Sequence, residues 1–330
     1  MTALKAKLFG SIAATALLAA GAAQAETHRF TPSTYYTTYS AAHPPALHIK
    51  SGDTVVTKTI DAAGVDFEGK TVSPGGNPET GPFYIEGAEP GDSIVVTIVK
   101  LETNRAMAYS GSLLAPYAAT PQAIATRIDR EPKRVTWTID KAKGIATLDD
   151  ASIQPGGISL PLRPMLGCIG VAPARKEAIA ASTPGNFGGN MDYAYMGQGA
   201  KLTLPVFEPG ALLFLGDGHA RQGEAEAVGS GLETSMDVTF KVDLIKKKTI
   251  DWPRVENDTH IMVLGSARPL LESFQIATSS LQKMLMEDYG FTERGAQIFI
   301  GETGEYEVSN VVDPAFTVAA KIRKTMLPKK

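Results

Sequence analysis

The chain has a single cysteine, Cys168. No internal disulfide can form, so folding rests on an ordinary apolar core. The neighbours of Cys168 in sequence, Met165, Leu166, Ile169 and Val171, are apolar, and nothing near it lowers a thiol pKa. It reads as a buried structural residue rather than a nucleophile. Basic blocks are equally sparse. Apart from Lys246-Lys247-Lys248 and the final Lys329-Lys330, the 32 basic and 35 acidic residues are scattered, and the net charge is −3. That balance excludes a nucleic-acid partner. There is no serine nucleophile elbow and no Gly-Gly-Ser-Ser run, which leaves serine-based acyl transfer without its residues. Helical periodicity is scarce until the last quarter of the chain.

What is present begins with a targeting signature. Lys5 and Lys7 precede an Ala/Leu-rich stretch over residues 8–20, and Ala23-Gln24-Ala25 supplies a small-x-small cleavage pattern. The apolar stretch is too short for a membrane anchor, and twin arginines are absent. Residues 1–25 are expected to be a signal peptide of the general secretion route. The mature chain then starts near Glu26, in the periplasm or outside the cell, with no membrane association.

The mature sequence reads as short strands punctuated by Gly, Pro and Asp. Three segments share one pattern: a tight turn at Gly52, Gly91 or Gly210, followed by the apolar or β-branched runs 54–60, 93–101 and 211–215. Residues 134–139 and 238–244 alternate as half-buried strands. A helix is expected from Pro269 to Tyr289, stopped by Gly290, and a second from an N-cap at Thr292 to about Phe299. A last strand covers residues 306–312. Residues 182–199 form the longest loop. These signals predict a mainly β protein with a sandwich- or barrel-like core and C-terminal helices. A β-rich part over residues 26–155 and a second part over 156–330 are expected to intertwine as one unit.

The densest chemistry lies in residues 209–233. A buried strand ends in Asp217-Gly218-His219, and side chains two apart share a face. The glycines that follow allow Glu224, Glu226 and Glu233 to converge on that point. Carboxylate with imidazole suits a divalent ion; the same residues also suit a polar hairpin with solvated acids. His28, His43, His48 and His260 read as structural or surface histidines, and Glu86 and Glu89 as local hydrogen-bonding acids.

Taken together, several stretches resemble one family. They are 51–56, Asp61, Gly81-Pro82, 86–92, 163–167 and 169–173, the loop Gly188-Gly189-Asn190-Met191-Asp192, 204–206, and Gly216-Asp217-Gly218-His219-Ala220. In order and combination they resemble the acetamidase/formamidase family over essentially the whole mature chain. The resemblance implies hydrolysis of small linear amides to carboxylate and ammonia, a β-rich fold with an added α/β portion, a metal-dependent site and a homo-oligomer. It departs at Gly223-Glu224-Ala225-Glu226, where the family pattern is Gly-Asp-Gly-Glu.

With no better nucleophile in the chain, a metal-activated water is the expected attacking group. Asp61, Asp192, Asp217 and His219 are the expected metal ligands. Zinc is the first choice of ion, and calcium a structural alternative. Glu226, and with it Glu233, are expected as base and proton shuttle beside His219, and Asn190 as a substrate contact. Two other readings fit: a non-catalytic secreted β-sandwich that binds a metal or small ligand in the same acidic cleft, and a hydrolase of a larger or cyclic amide.

Overall fold

A computed structural model describes residues 25–328; the expected signal peptide lies almost wholly outside the described residues. The chain is built on two stacked sheets with a smaller sheet at one end and helices on another. The larger sheet has nine strands. Its centre pairs Met236–Ile245 with Ser93–Thr103 and with Thr54–Lys58, all antiparallel. Its C-terminal side runs through Lys201–Pro205, Arg254–Glu256, His260–Ala267 and Phe316–Arg323 to Glu305–Asn310. Facing it is a five-stranded sheet ordered Gly188–Asn190, Met165–Gly170, Leu213–His219, Thr80–Ile85 and Leu47–Ile49.

Strand alternation explains the contact between these sheets. Val55, Ile94, Val96, Val238 and Phe240 of the large sheet share one buried cluster with Phe83, Leu166, Ile169, Leu213 and Leu215 of the smaller. Phe83 and Phe240 meet edge to face at 5.1 Å. Each such aromatic contact adds about 0.5–1.5 kcal/mol beyond its area burial. The Leu213–His219 strand is buried along its whole length, because Phe214 packs on Tyr39 on the opposite side.

The helices Leu270–Tyr289 and Glu293–Thr303 cover the C-terminal strands, where Ala277, Leu281 and Leu285 pack on Ile261, Val263 and Ile322. A Cβ at Gly265 would come within 2.5 Å of the Ser273 carbonyl oxygen, so glycine there lets the helix lie directly on the sheet. Gly290, at φ 71°, ends the first helix, and the Thr292 side chain caps the second. No helix among the described residues is long and apolar enough to cross a membrane.

A four-stranded sheet with its own core, centred on Trp137, Ile139 and Leu148, runs over residues 107–161. Within it Ile158–Pro161 pairs with Ile145–Leu148. Strands from before and after residue 155 alternate in the large sheet.

The strand expected to end in Asp217-Gly218-His219 does run to His219. Gly216 and Gly218 are there for close approach: added Cβ atoms would meet Glu79 Oε2 at 2.7 Å and Met236 Cγ at 2.4 Å. The strand Phe316–Arg323 was not expected, because it is buried on both faces and shows no alternation. The three turn glycines behave as predicted, with φ of 97° at Gly52, 95° at Gly91 and 77° at Gly210.

Candidate active site

The Leu213–His219 strand delivers Asp217 and His219 to one end of the five-stranded sheet. There they meet Asp192, which follows the short strand Gly188–Asn190 and is φ-positive at 45°. Glu226 comes from a short turn of 3₁₀ helix, Glu224–Glu226. Glu233 comes from an isolated bridge that pairs it with both His219 and Tyr109. All five side chains are buried. Asp192, His219 and Glu226 offer ligand atoms within 4.8 Å of one another, and so do Asp217, His219 and Glu233.

The imidazole is fixed from behind. Gln222 donates through Nε2 to the carbonyls of Asp192 (2.7 Å) and Ser309 (3.3 Å), which turns its Oε1 toward His219 Nδ1 at 2.8 Å. Nδ1 therefore carries a proton and Nε2 points into the acids, 3.0 Å from Glu233 Oε1 and 3.5 Å from Asp217 Oδ1. Burial opposes charge on this ring, but Glu233 and Asp217 outweigh it and hold its pKa well above the usual histidine value. Burial raises Glu226 well above the usual carboxylate range, and Asp192 pushes it further. Glu233 is raised to about 6, chiefly by burial, with His219 pulling the other way.

Two buried carboxylate oxygens of this cluster, Asp192 Oδ1 and Glu233 Oε2, accept no hydrogen bond, and His219 Nε2 makes only charge contacts with Glu233 and Asp217. Buried acceptors without a partner are costly, at about 1–3 kcal/mol each, and a divalent cation satisfies several such oxygens at once. The donor set, one imidazole with surrounding carboxylates, fits such an ion. The cradle is shaped for these oxygens: a Cβ at Gly167 would lie 2.4 Å from Asp192 Oδ1 and 2.5 Å from Asp217 Oδ2. Backbone strain collects here too. Of the ten non-glycine residues with positive φ among the described residues, five are Asn77, Asp192, Asp217, Ala225 and Glu226; such conformations cluster at functional sites. Ala225, at φ 68°, holds the conformation that the glycine of the resembling family would adopt freely.

Above the cluster opens a cavity of about 410 Å³. Asp217, Glu226 and Glu233 line it, with Asn77, Tyr109, Arg134, Ser182, Asn190 and Asp313.

One expected ligand does not belong to this cluster. Asp61 Oδ2 accepts from buried Arg105 at 2.7 Å, and its Oδ1 caps the backbone N–H groups of Ala63 and Val65. Its charge is already compensated, and neither ligand group includes it. Asn190 lines the cavity, but its amide is engaged: Nδ2 donates to Asp313 Oδ2 at 2.9 Å, and Oδ1 accepts from the Cys168 thiol at 2.9 Å. Cys168 is buried as expected, yet beside acids rather than among apolar side chains alone. Burial, then Glu79 and Asp217, raise its pKa well above the ordinary thiol value, which keeps it a thiol.

Several site residues carried no local sequence signal. Gln222, Glu79, Asn77, Asp313, Tyr109 and Arg134 reach the site only through tertiary pairing. Gln222 alone had a hint, lying three residues after His219. The remaining histidines sit elsewhere: His28 pairs with Asp53, His48 with Glu86, and His43 stacks on Tyr36.

Comparison with known proteins decides the family. An acetamidase of known structure from Yersinia enterocolitica is 32% identical, with a TM-score of 0.81 over 94% of this chain and 96% of that one. The chain belongs to the acetamidase/formamidase family. The family's own sequence model matches residues 174–300. An acetamidase structure from Bacillus halodurans is 28% identical, with a TM-score of 0.76 over 89% of this chain and 97% of that one. A Schizosaccharomyces pombe protein, provisionally named a formamidase, is 27% identical over 224 residues. That match spans about half of each chain, 52% of this one and 52% of the yeast protein. All the residues of the Asp192–His219–Glu226 group fall inside the matched family segment, and so do Asp217, Gln222 and Glu233.

Proposed function

We propose that this family member is an exported, metal-dependent amidohydrolase of short linear amides, releasing a carboxylate and ammonia. The observation that carries the reading is one buried imidazole, His219, shared by two pairs of carboxylates at ligand distance, Asp192 with Glu226 and Asp217 with Glu233, beneath a cavity lined by further acids. Asp192, Asp217 and His219, with Glu233 at ligand distance, are the residues that would hold the ion. When bound, a divalent ion would supply Lewis-acid polarisation of the carbonyl and acidify water to a pKa of about 7.

The chain's own groups then divide the proton work. Hydrolysis forms a bond from the water oxygen to the carbonyl carbon, breaks the C–N bond and moves a proton to nitrogen. Glu226 lines the cavity, and burial, with Asp192 beside it, raises its pKa well above the usual carboxylate range, so it holds a proton more readily than an exposed carboxylate does. A cavity-lining carboxyl of that kind is suited to take a proton from water and hand it to the leaving nitrogen. Gln222 holds the imidazole tautomer that leaves Nε2 free for the ion. Asn190 acts through its bonds to Asp313 and Cys168, shaping the cavity wall.

The test is ammonia release from formamide, acetamide and propionamide by protein recovered from the periplasmic fraction, with and without a chelator. Turnover that chelation abolishes and added metal restores is the expected result. No turnover of any amide by metal-loaded protein would leave only a binding function.

The Gly167 cradle offers an independent check. Gly167→Ala places a methyl against both Asp192 and Asp217, forcing the oxygens apart. A loss of roughly 10–100-fold in metal affinity is expected, as for other changes that misplace ligands. Metal titration of the variant measures it, and wild-type affinity would show that these oxygens are not ligands.

A further inference from the structure

One residue of the cavity has no task in the hydrolysis of formamide or acetamide. Arg134 is the sole cation among the described residues that line it. It precedes the strand Val135–Asp140, and its guanidinium lies 3.9 Å from the centre of the Tyr109 ring. Neighbouring cations are already engaged. Arg127 donates to the Leu114 carbonyl, Arg130 to that of Ala125 at 3.0 Å, and Lys133 pairs with Asp129 at 3.5 Å. Arg134 forms no ion pair with a carboxylate among the described residues; its guanidinium stacks on the Tyr109 ring.

Tyr109 in turn is locked to the acid cluster. Its backbone exchanges hydrogen bonds of 3.1 and 2.8 Å with Glu233, which meets His219. The stacked guanidinium is exposed at the cavity wall, one side chain removed from the candidate ligands, with its N–H donors open to a ligand in the cavity. A planar fork stacked on an aromatic face is suited to bind a carboxylate through paired N–H donors.

Size and charge agree. A cavity of about 410 Å³ falls in the range, roughly 300–1,000 Å³, that takes ligands well beyond the size of acetamide. Asp217, Glu226, Glu233 and Asp313 line the same space. They would repel any anionic substrate lacking a counter-charge at its far end, and Arg134 is placed to provide one.

We propose that Arg134 selects amides bearing a carboxylate, the monoamides of short dicarboxylic acids, with the reacting amide toward His219 and the carboxylate on the guanidinium. This rests on the amidase reading above.

The test compares succinamate with succinamide, which match in shape and differ in charge. For metal-loaded wild type, kcat/KM should favour succinamate by about tenfold or more, and the preference should shrink with added salt. In R134Q the succinamate-to-succinamide ratio should fall to one or below, mainly through a higher KM for succinamate, and R134K should recover part of it. A ratio lowers the influence of partial misfolding, which reduces both activities together. Wild type that hydrolyses succinamide and acetamide without favouring succinamate, or an R134Q ratio equal to wild type, overturns the charge selection and leaves the amidase reading standing. Failure to hydrolyse any of these amides overturns the amidase reading and this selection with it.

Discussion

Glu226→Gln is expected to lower amide turnover by about 10²–10⁴-fold, the usual contribution of a positioned acid–base group. The fold and the bound metal should survive. Glutamine keeps the length and shape of the side chain, so the 3₁₀ turn and the cavity wall are preserved. What disappears is the ability to take up and release a proton. Stability should hold or rise, because the wild-type carboxyl is buried among Asp192, Glu233 and Asp217, all of which raise its pKa. The loss should appear in kcat, with KM little changed, since proton transfer belongs to the transition state. Ammonia release and elemental analysis of the same preparation check both parts. Activity within a few-fold of wild type removes Glu226 from the mechanism. Loss of metal along with activity moves it into the ligand set beside Asp192 and His219, whose ligand atoms lie within 4.8 Å of its own.

The parts of the site legible in the sequence are those whose geometry is local. Asp217 and His219 alternate along one strand, and Glu226 and Glu233 follow within the same segment, so a short stretch of chain places them together. The mainly β fold and both C-terminal helices followed from turn glycines, alternation and caps for the same reason. The illegible parts depend on pairings across the fold. Asp61 at a strand end looks the same in sequence whether it faces an ion or Arg105, which lies 44 residues away. Asp313 reaches Asn190 across 123 residues. Gly216 and Gly218 are the instructive case: each makes room for a neighbour, Glu79 or Met236, within the strand, a use that glycine in a sequence does not distinguish from a turn. Only the packed structure separates those two uses.

His219→Ala should have the largest effect of all, abolishing metal retention and lowering amide turnover by about 10³-fold or more. The imidazole is the one nitrogen ligand in either group and the member they share. It is also the most constrained, clamped by Gln222 on Nδ1 and packed against Gly231, where an added Cβ would fall 2.4 Å from Nδ1. Its removal leaves Asp192, Asp217 and Glu233 without their nitrogen partner, one ligand short of the set proposed to hold the ion. The variant should therefore behave like chelated wild type in ammonia release, with one difference. Added metal restores the chelated wild type and leaves His219→Ala inactive. Full amide turnover by rigorously metal-stripped wild type, or by His219→Ala, would show that the cluster's unpartnered atoms serve some other end.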